Sequence, residues 1–174
     1  MKKSIILATS MLSLISVYAA DPVVKNGSFE DLSENKAVSW DINFTKGVDA
    51  KVTTETIAVD GMNALKIVNN TARAPHVFAE IHQTIQLIKG KNYVLNFKAK
   101  GEAAKGICFC LGKTWNTRFY FAEKLKPEWQ EFSFKFTAKP EDFDADGTSY
   151  GIRIISEDIA KEAFIDAITV RDAE

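Results

Sequence analysis

The sequence predicts an all-β fold, a β-sandwich of two antiparallel sheets, and three observations carry the prediction. Short runs rich in Val, Ile, Phe, Tyr and Thr recur along the chain, separated by Gly, Asn, Asp or Lys-Gly turns. Within them apolar and polar residues alternate: Tyr93, Leu95 and Phe97 against Asn96 and Lys98, then Phe132, Phe134 and Phe136 against Ser133, Lys135 and Thr137. No convincing helical period appears after the first 20 residues. Each strand then has one core face and one wet face, and packing two sheets face to face buries every core face at once.

The N-terminus comes first and stands apart. Lys2 and Lys3 precede an apolar run from Ile5 to Val17, with Ala19 and Ala20 behind it, the layout of a secretory signal peptide cleaved after Ala19. The run is too short to span a bilayer comfortably, and no Cys at the junction accepts a lipid. The mature chain is therefore expected to be soluble and secreted, extracellular or periplasmic.

Residues 20–174 are expected to form one domain. Predicted strands follow in order: Val23–Glu30, Ser39–Phe44, Ala50–Ala58, Ala64–Asn69, Val77–Leu87, Tyr93–Ala99, Gly106–Leu111, Thr117–Phe121, Trp129–Ala138, Tyr150–Ser156 and Ala163–Val170. Lys46-Gly47, Asp60-Gly61 and Lys89-Gly90 punctuate the first half, and the polar Gly112–Asn116 separates two strands of the second. Pro140–Thr148 is the main polar interruption, a strand connection carrying Asp142, Asp144 and Asp146 with Gly147 free to take a positive φ.

Composition narrows the partners. An apolar content of 46%, with 12 Phe, excludes a disordered or collagen-like chain and a disulfide-dense miniature scaffold. Losing Lys2 and Lys3 with the leader leaves 20 basic groups against 23 acidic ones, no footprint for nucleic acid or an anionic membrane. Cys108 and Cys110 share one face of a predicted buried strand, roughly 6.5 to 7 Å apart at Cα, the upper limit for a disulfide. They read as buried free thiols, with a strained bridge or a metal clip as alternatives.

Several motifs in order resemble a known family. Asn26–Asp31 (NGSFED), Trp40, Gly61–Ile67 (GMNALKI), Ile81–Leu87 with Gln83 (IHQTIQL), Lys89–Gly101, Trp129–Ala138 (WQEFSFKFTA) and Phe164–Val170 (FIDAITV) together resemble carbohydrate-binding modules of the cellulose- and xylan-binding families 4, 9, 16 and 22. The resemblance runs from about Val23 to Val170. It implies a jelly roll like that of galactose-binding domains, with a poly- or oligosaccharide of β-glucan, xylan or mannan type held along a concave sheet face. The chemistry is general: sugar rings stack their C–H faces on aromatic rings, and their hydroxyls need polar side chains.

Trp115 is the candidate platform, because its segment is polar and offers no apolar period to draw an indole inward; a loop-packing role is the alternative. Arg118 and Tyr120 follow at alternate positions. Phe78, Glu80 and His82 share one strand face, Gly151, Arg153 and Ile155 another, and Asn96 and Lys98 supply a third. Trp40, Trp129 and Gln83 coincide with family positions that pack or hydrogen-bond inside the sandwich.

The resemblance also implies a structural calcium near the termini, here Glu30 and Asp166, although Ala167 stands where the family often has a second acid. Asp142–Gly147 (DFDADG) matches the first half of a calcium loop, but Arg153 occupies the position of its bidentate Glu, so a solvated acidic turn is expected. No G-x-S-x-G, H-E-x-x-H or phosphate loop is present, and binding without catalysis is the expectation. Two alternatives remain: a jelly-roll polysaccharide lyase or glycoside hydrolase, the lyase needing His82, Arg153 and Tyr120 clustered, and an extracellular adhesion domain holding surface proteins.

Overall fold

The computed structural model describes residues 23–173. The expected leader and its cleavage point lie outside them. Twelve strands run in chain order: β1 (Leu32–Ser33), β2 (Lys36–Ala37), β3 (Asp41–Phe44), β4 (Ala50–Glu55), β5 (Ala64–Asn69), β6 (Ala79–Gln86), β7 (Asn92–Ala104), β8 (Ile107–Leu111), β9 (Thr117–Tyr120), β10 (Gln130–Thr137), β11 (Ser149–Ser156) and β12 (Ala160–Asp172). Single 3-10 turns occupy Ala122–Lys124 and Pro140–Asp142.

Two five-stranded sheets form the sandwich, in the orders β10-β7-β12-β5-β4 and β3-β6-β11-β8-β9, and all their pairings are antiparallel. The alternation read in the sequence decides the layers. Tyr93, Leu95 and Phe97 of β7 face Phe109 of β8, Ile81 and Ile85 of β6, and Tyr150, Ile152 and Ile154 of β11 in one continuous core. Phe97 is its centre, with ring centroids 4.6 Å from Phe109, 4.7 Å from Phe121 and 5.1 Å from Phe132.

Ten of the predicted strands are present, Ala64–Asn69 with its bounds unchanged and the others shifted at one or both ends, but Val23–Glu30 is not one. Val24 and Phe29 are buried and Val23 is partly so, yet Asn26 and Phe29 take positive φ and the segment turns repeatedly. Other groups satisfy its backbone. The Gln83 side chain accepts from Lys25 N–H at 2.8 Å and donates to the Lys25 and Ser39 carbonyls at 2.8 and 3.0 Å. Gln83 is thus the satisfied buried amide expected. Trp40 is equally structural: its indole N–H donates to the Asn26 carbonyl at 3.0 Å and its ring lies 5.6 Å from Phe29. Trp129 is different, half-buried just before β10 with the Lys100 ammonium 5.1 Å over its ring.

Candidate functional site

The outer face of the β3-β6-β11-β8-β9 sheet collects most of the predicted site residues, and strand register explains how. Asp41, His82, Arg153, Cys110 and Arg118 are cross-strand neighbours and form one row across the five strands. Asn43, Glu80, Ile155, Cys108 and Tyr120 form the next. Side chains two apart along a strand share a face, so these rows lie side by side.

Ion pairs and hydrogen bonds tie the rows together. Arg153 Nε donates to Glu80 Oε1 at 2.9 Å, and its Nη1 donates to the Gly112 carbonyl at 2.9 Å. Gly151 makes this possible, because a Cβ there would sit 2.2 Å from Arg153 Nη1 and stop the guanidinium from lying back along the strand. Arg118 Nη1 donates to Tyr120 Oη and Glu157 Oε2 at 3.1 and 3.2 Å, and the Tyr120 hydroxyl donates to Glu157 Oε1 at 2.7 Å. Arg73, from the segment before β6, also pairs with Glu157. His82 Nδ1 is buried without a protein partner.

Trp115 lies across this face. From the β8–β9 connection its ring reaches over β11, with the Arg153 guanidinium 5.1 Å from its centroid, to meet Phe78 edge-on at 5.6 Å. Phe78 and Trp115 together cover Cys108, Cys110 and Ile155. Beyond them, toward the Glu157 end, a pocket of about 350 Å³ is walled by Phe78, Trp115 and Ile155 and edged by His76, Arg118 and Glu157.

The two cysteines are free thiols under this aromatic cover. Burial pushes the Cys108 thiol up to about 12 and the Cys110 thiol to about 11, so almost no thiolate is present at ordinary pH. Iodoacetamide at pH 8 is therefore expected to alkylate neither in the native protein and both in urea, read by intact mass. Native-state labelling within minutes would contradict this burial.

Asn96 belongs elsewhere. It sits on β7, in the other sheet, on a polar depression lined also by Lys98, Ser133 and Thr169. Alternation showed which face of β7 is wet but not which sheet β7 joins. The lyase triad does not assemble either. His82 and Arg153 are neighbours, but Tyr120 lies three strands from His82, about 14 Å by strand spacing, and its hydroxyl is engaged with Glu157. His76 lies in the segment before β6.

Glu30 and Asp166 meet at one turn. Asp166 Oδ2 accepts from Val59 and Asp60 N–H at 2.9 Å each, and its Oδ1 from Ala167 N–H at 2.6 Å. Glu30 Oε1 accepts from Met62 and Asn63 N–H at 2.8 and 2.7 Å. Gly61 at φ +77° must lack a side chain, since a Cβ would stand 2.6 Å from the Glu30 carboxyl. A calcium ion needs acceptor oxygens, and these carboxylates are met by five N–H donors, so the arrangement does not fit the metal. Among the described residues no group of three or more acidic, His or Cys side chains is placed to hold one. In the DFDADG segment Asp146 instead closes its own turn. It accepts from the Ser149 hydroxyl and from Thr148 and Ser149 N–H, which hold its carboxyl down to about 2.

Glu157 was missed, although it continues the alternation of Gly151, Arg153 and Ile155 past the end of β11. Arg73 left no such signal.

With this geometry in view, comparison with known proteins decides the family. A family profile described as a carbohydrate binding domain matches residues 21–147, most of the chain. The chain belongs to that family. No curated protein matches it by sequence. Among solved structures it resembles a CBM4 module at 22% identity, TM-score 0.62, covering 85% of this chain and 98% of that one. It also resembles a Fischerella sp. TAU cyclase in complex with an indolyl butanone, at 18% identity and TM-score 0.63, covering 90% and 100%. A third likeness is to the bacteriophage CBA120 tailspike protein 4, at 15% identity, TM-score 0.64 and 87% of this chain, which spans only 21% of that one. These likenesses establish the fold, which sugar binders and enzymes share.

Proposed function

We propose that this carbohydrate-binding domain, exported after loss of residues 1–19, binds a neutral poly- or oligosaccharide of β-glucan, xylan or mannan type without cleaving it. The observation that carries the reading is the pocket at the Glu157 end of the outer sheet face. Trp115 and Phe78 supply aromatic surface for a sugar ring, and Glu157, Arg118 and His76 supply donors and acceptors for its hydroxyls. Each arginine of the face is already paired with a glutamate, Arg153 with Glu80 and Arg118 and Arg73 with Glu157, which favours an uncharged sugar over a uronate. The aromatic pair stands across the sheet, so the pocket suits the end of a glycan better than a chain running through.

A glycan array followed by calorimetry on residues 20–174 tests this. Saturable binding to neutral oligosaccharides is expected, with the same isotherm and melting temperature in calcium and in chelator. Silence across the array from a folded protein would sink the glycan reading and favour the adhesion alternative.

A further inference from the structure

The turn that presents Trp115 is held more firmly than a surface loop needs. Trp115 takes φ +62°, a left-handed backbone that is strained for a bulky residue. Such conformations persist only where their surroundings over-determine them. Here Asp142, 1% exposed at the end of the Pro140–Asp142 turn, packs directly beneath: a Cβ on Gly112 would lie 2.5 Å from Asp142 Cβ. The Thr114 hydroxyl donates to Asp142 Oδ1, and Lys113 N–H donates to the Asp142 carbonyl at 2.8 Å. From the sheet side, Arg118 Nε donates to the Trp115 carbonyl at 3.1 Å and Arg153 to that of Gly112.

Among the described residues Asp142 forms no ion pair. The nearby Tyr150 hydroxyl is buried without a partner, its ionisation driven upward by burial and then by the Asp142 charge. A buried carboxylate with no cation is costly unless hydrogen bonds offset the desolvation. The hydrogen bond to this carboxylate comes from Thr114, on the Trp115 turn.

We infer that Asp142 and Thr114 are positioning residues that set the Trp115 indole in its binding orientation before ligand arrives, an inference that rests on Trp115 belonging to the glycan site. Neither lines the pocket beside Trp115. Ordering a side chain during binding costs conformational entropy, and a turn ordered beforehand avoids that cost.

Thr114→Val removes only the hydroxyl, and Thr114→Ser keeps it. The readouts are the Trp115 indole N–H resonance, assigned by its loss in Trp115→Phe, and calorimetric affinity for β-glucan, xylan and mannan hexasaccharides. Thr114→Val is expected to shift and broaden that resonance, leave those of Trp40 and Trp129 in place, and weaken binding by about threefold to tenfold. Thr114→Ser should restore both. An unmoved resonance in Thr114→Val would overturn the positioning role whatever binding does. A shifted resonance with unchanged affinity would instead remove Trp115 from the binding site and leave the clamp standing. If Thr114→Val does not fold, Thr114→Ala carries the same comparison.

Discussion

Phe97→Ala is expected to destabilise the protein by about 3–5 kcal/mol, the largest loss from any single substitution considered. Phe97 is 2% exposed and its ring packs against Phe109, Phe119, Phe121 and Phe132, two of them on the opposite sheet. Truncation removes the transfer free energy of the ring and leaves a cavity that rigid aromatic neighbours fill poorly. The damage reaches the site through Phe109, which alternates along β8 with the two cysteines under Trp115. Urea unfolding followed by far-UV circular dichroism measures the loss. A midpoint shift worth less than about 1 kcal/mol would mean that the core relaxes around the gap, and that the ring cluster is not its mechanical centre.

Trp115→Ala is the change expected to abolish glycan binding. Aromatic anchors at the centre of a site commonly carry 2 kcal/mol or more, about thirtyfold in affinity. The ring also covers Ile155 and the two cysteines, so some stability goes with it, about 1–2 kcal/mol for a half-buried side chain. Trp115→Phe separates the two effects, because it keeps much of the cover while shrinking the platform. Calorimetric titration and thermal melting on both variants give the answer. Undiminished binding by a folded Trp115→Ala protein would place the glycan elsewhere.

The fold was legible because alternation and turn chemistry are local properties. Tyr93 to Phe97 and Phe132 to Phe136 show their inward faces without reference to anything distant. Val23–Glu30 misled for the same reason: its apolar pattern reports burial, while the partners that prevent a ladder, Gln83 and residues of β12, lie far along the chain. The site divides along the same line. Phe78, Glu80, His82, Arg118, Tyr120 and Arg153 could each be placed on a wet strand face; the strands of the last five do share one sheet, and Phe78 immediately precedes one of them. Asn96 could be placed equally well on a wet face, but its strand joined the other sheet. Glu30 and Asp166 were recognisable as partners of one another, yet nothing local shows that backbone N–H groups rather than oxygens surround them.

The order of the strands also bears on how the domain comes into being. β12, the last of the described strands, is the middle strand of its sheet, between β7 and β5, and it carries Asp166 to the turn that Glu30 grips from the other end. Until residues 160–172 are available, β5 and β7 have no common neighbour and one wall of the core is missing. Contacts of such long sequence separation form slowly and late. A growing chain would thus keep this sheet in two separate parts until β12 is made and can enter between them.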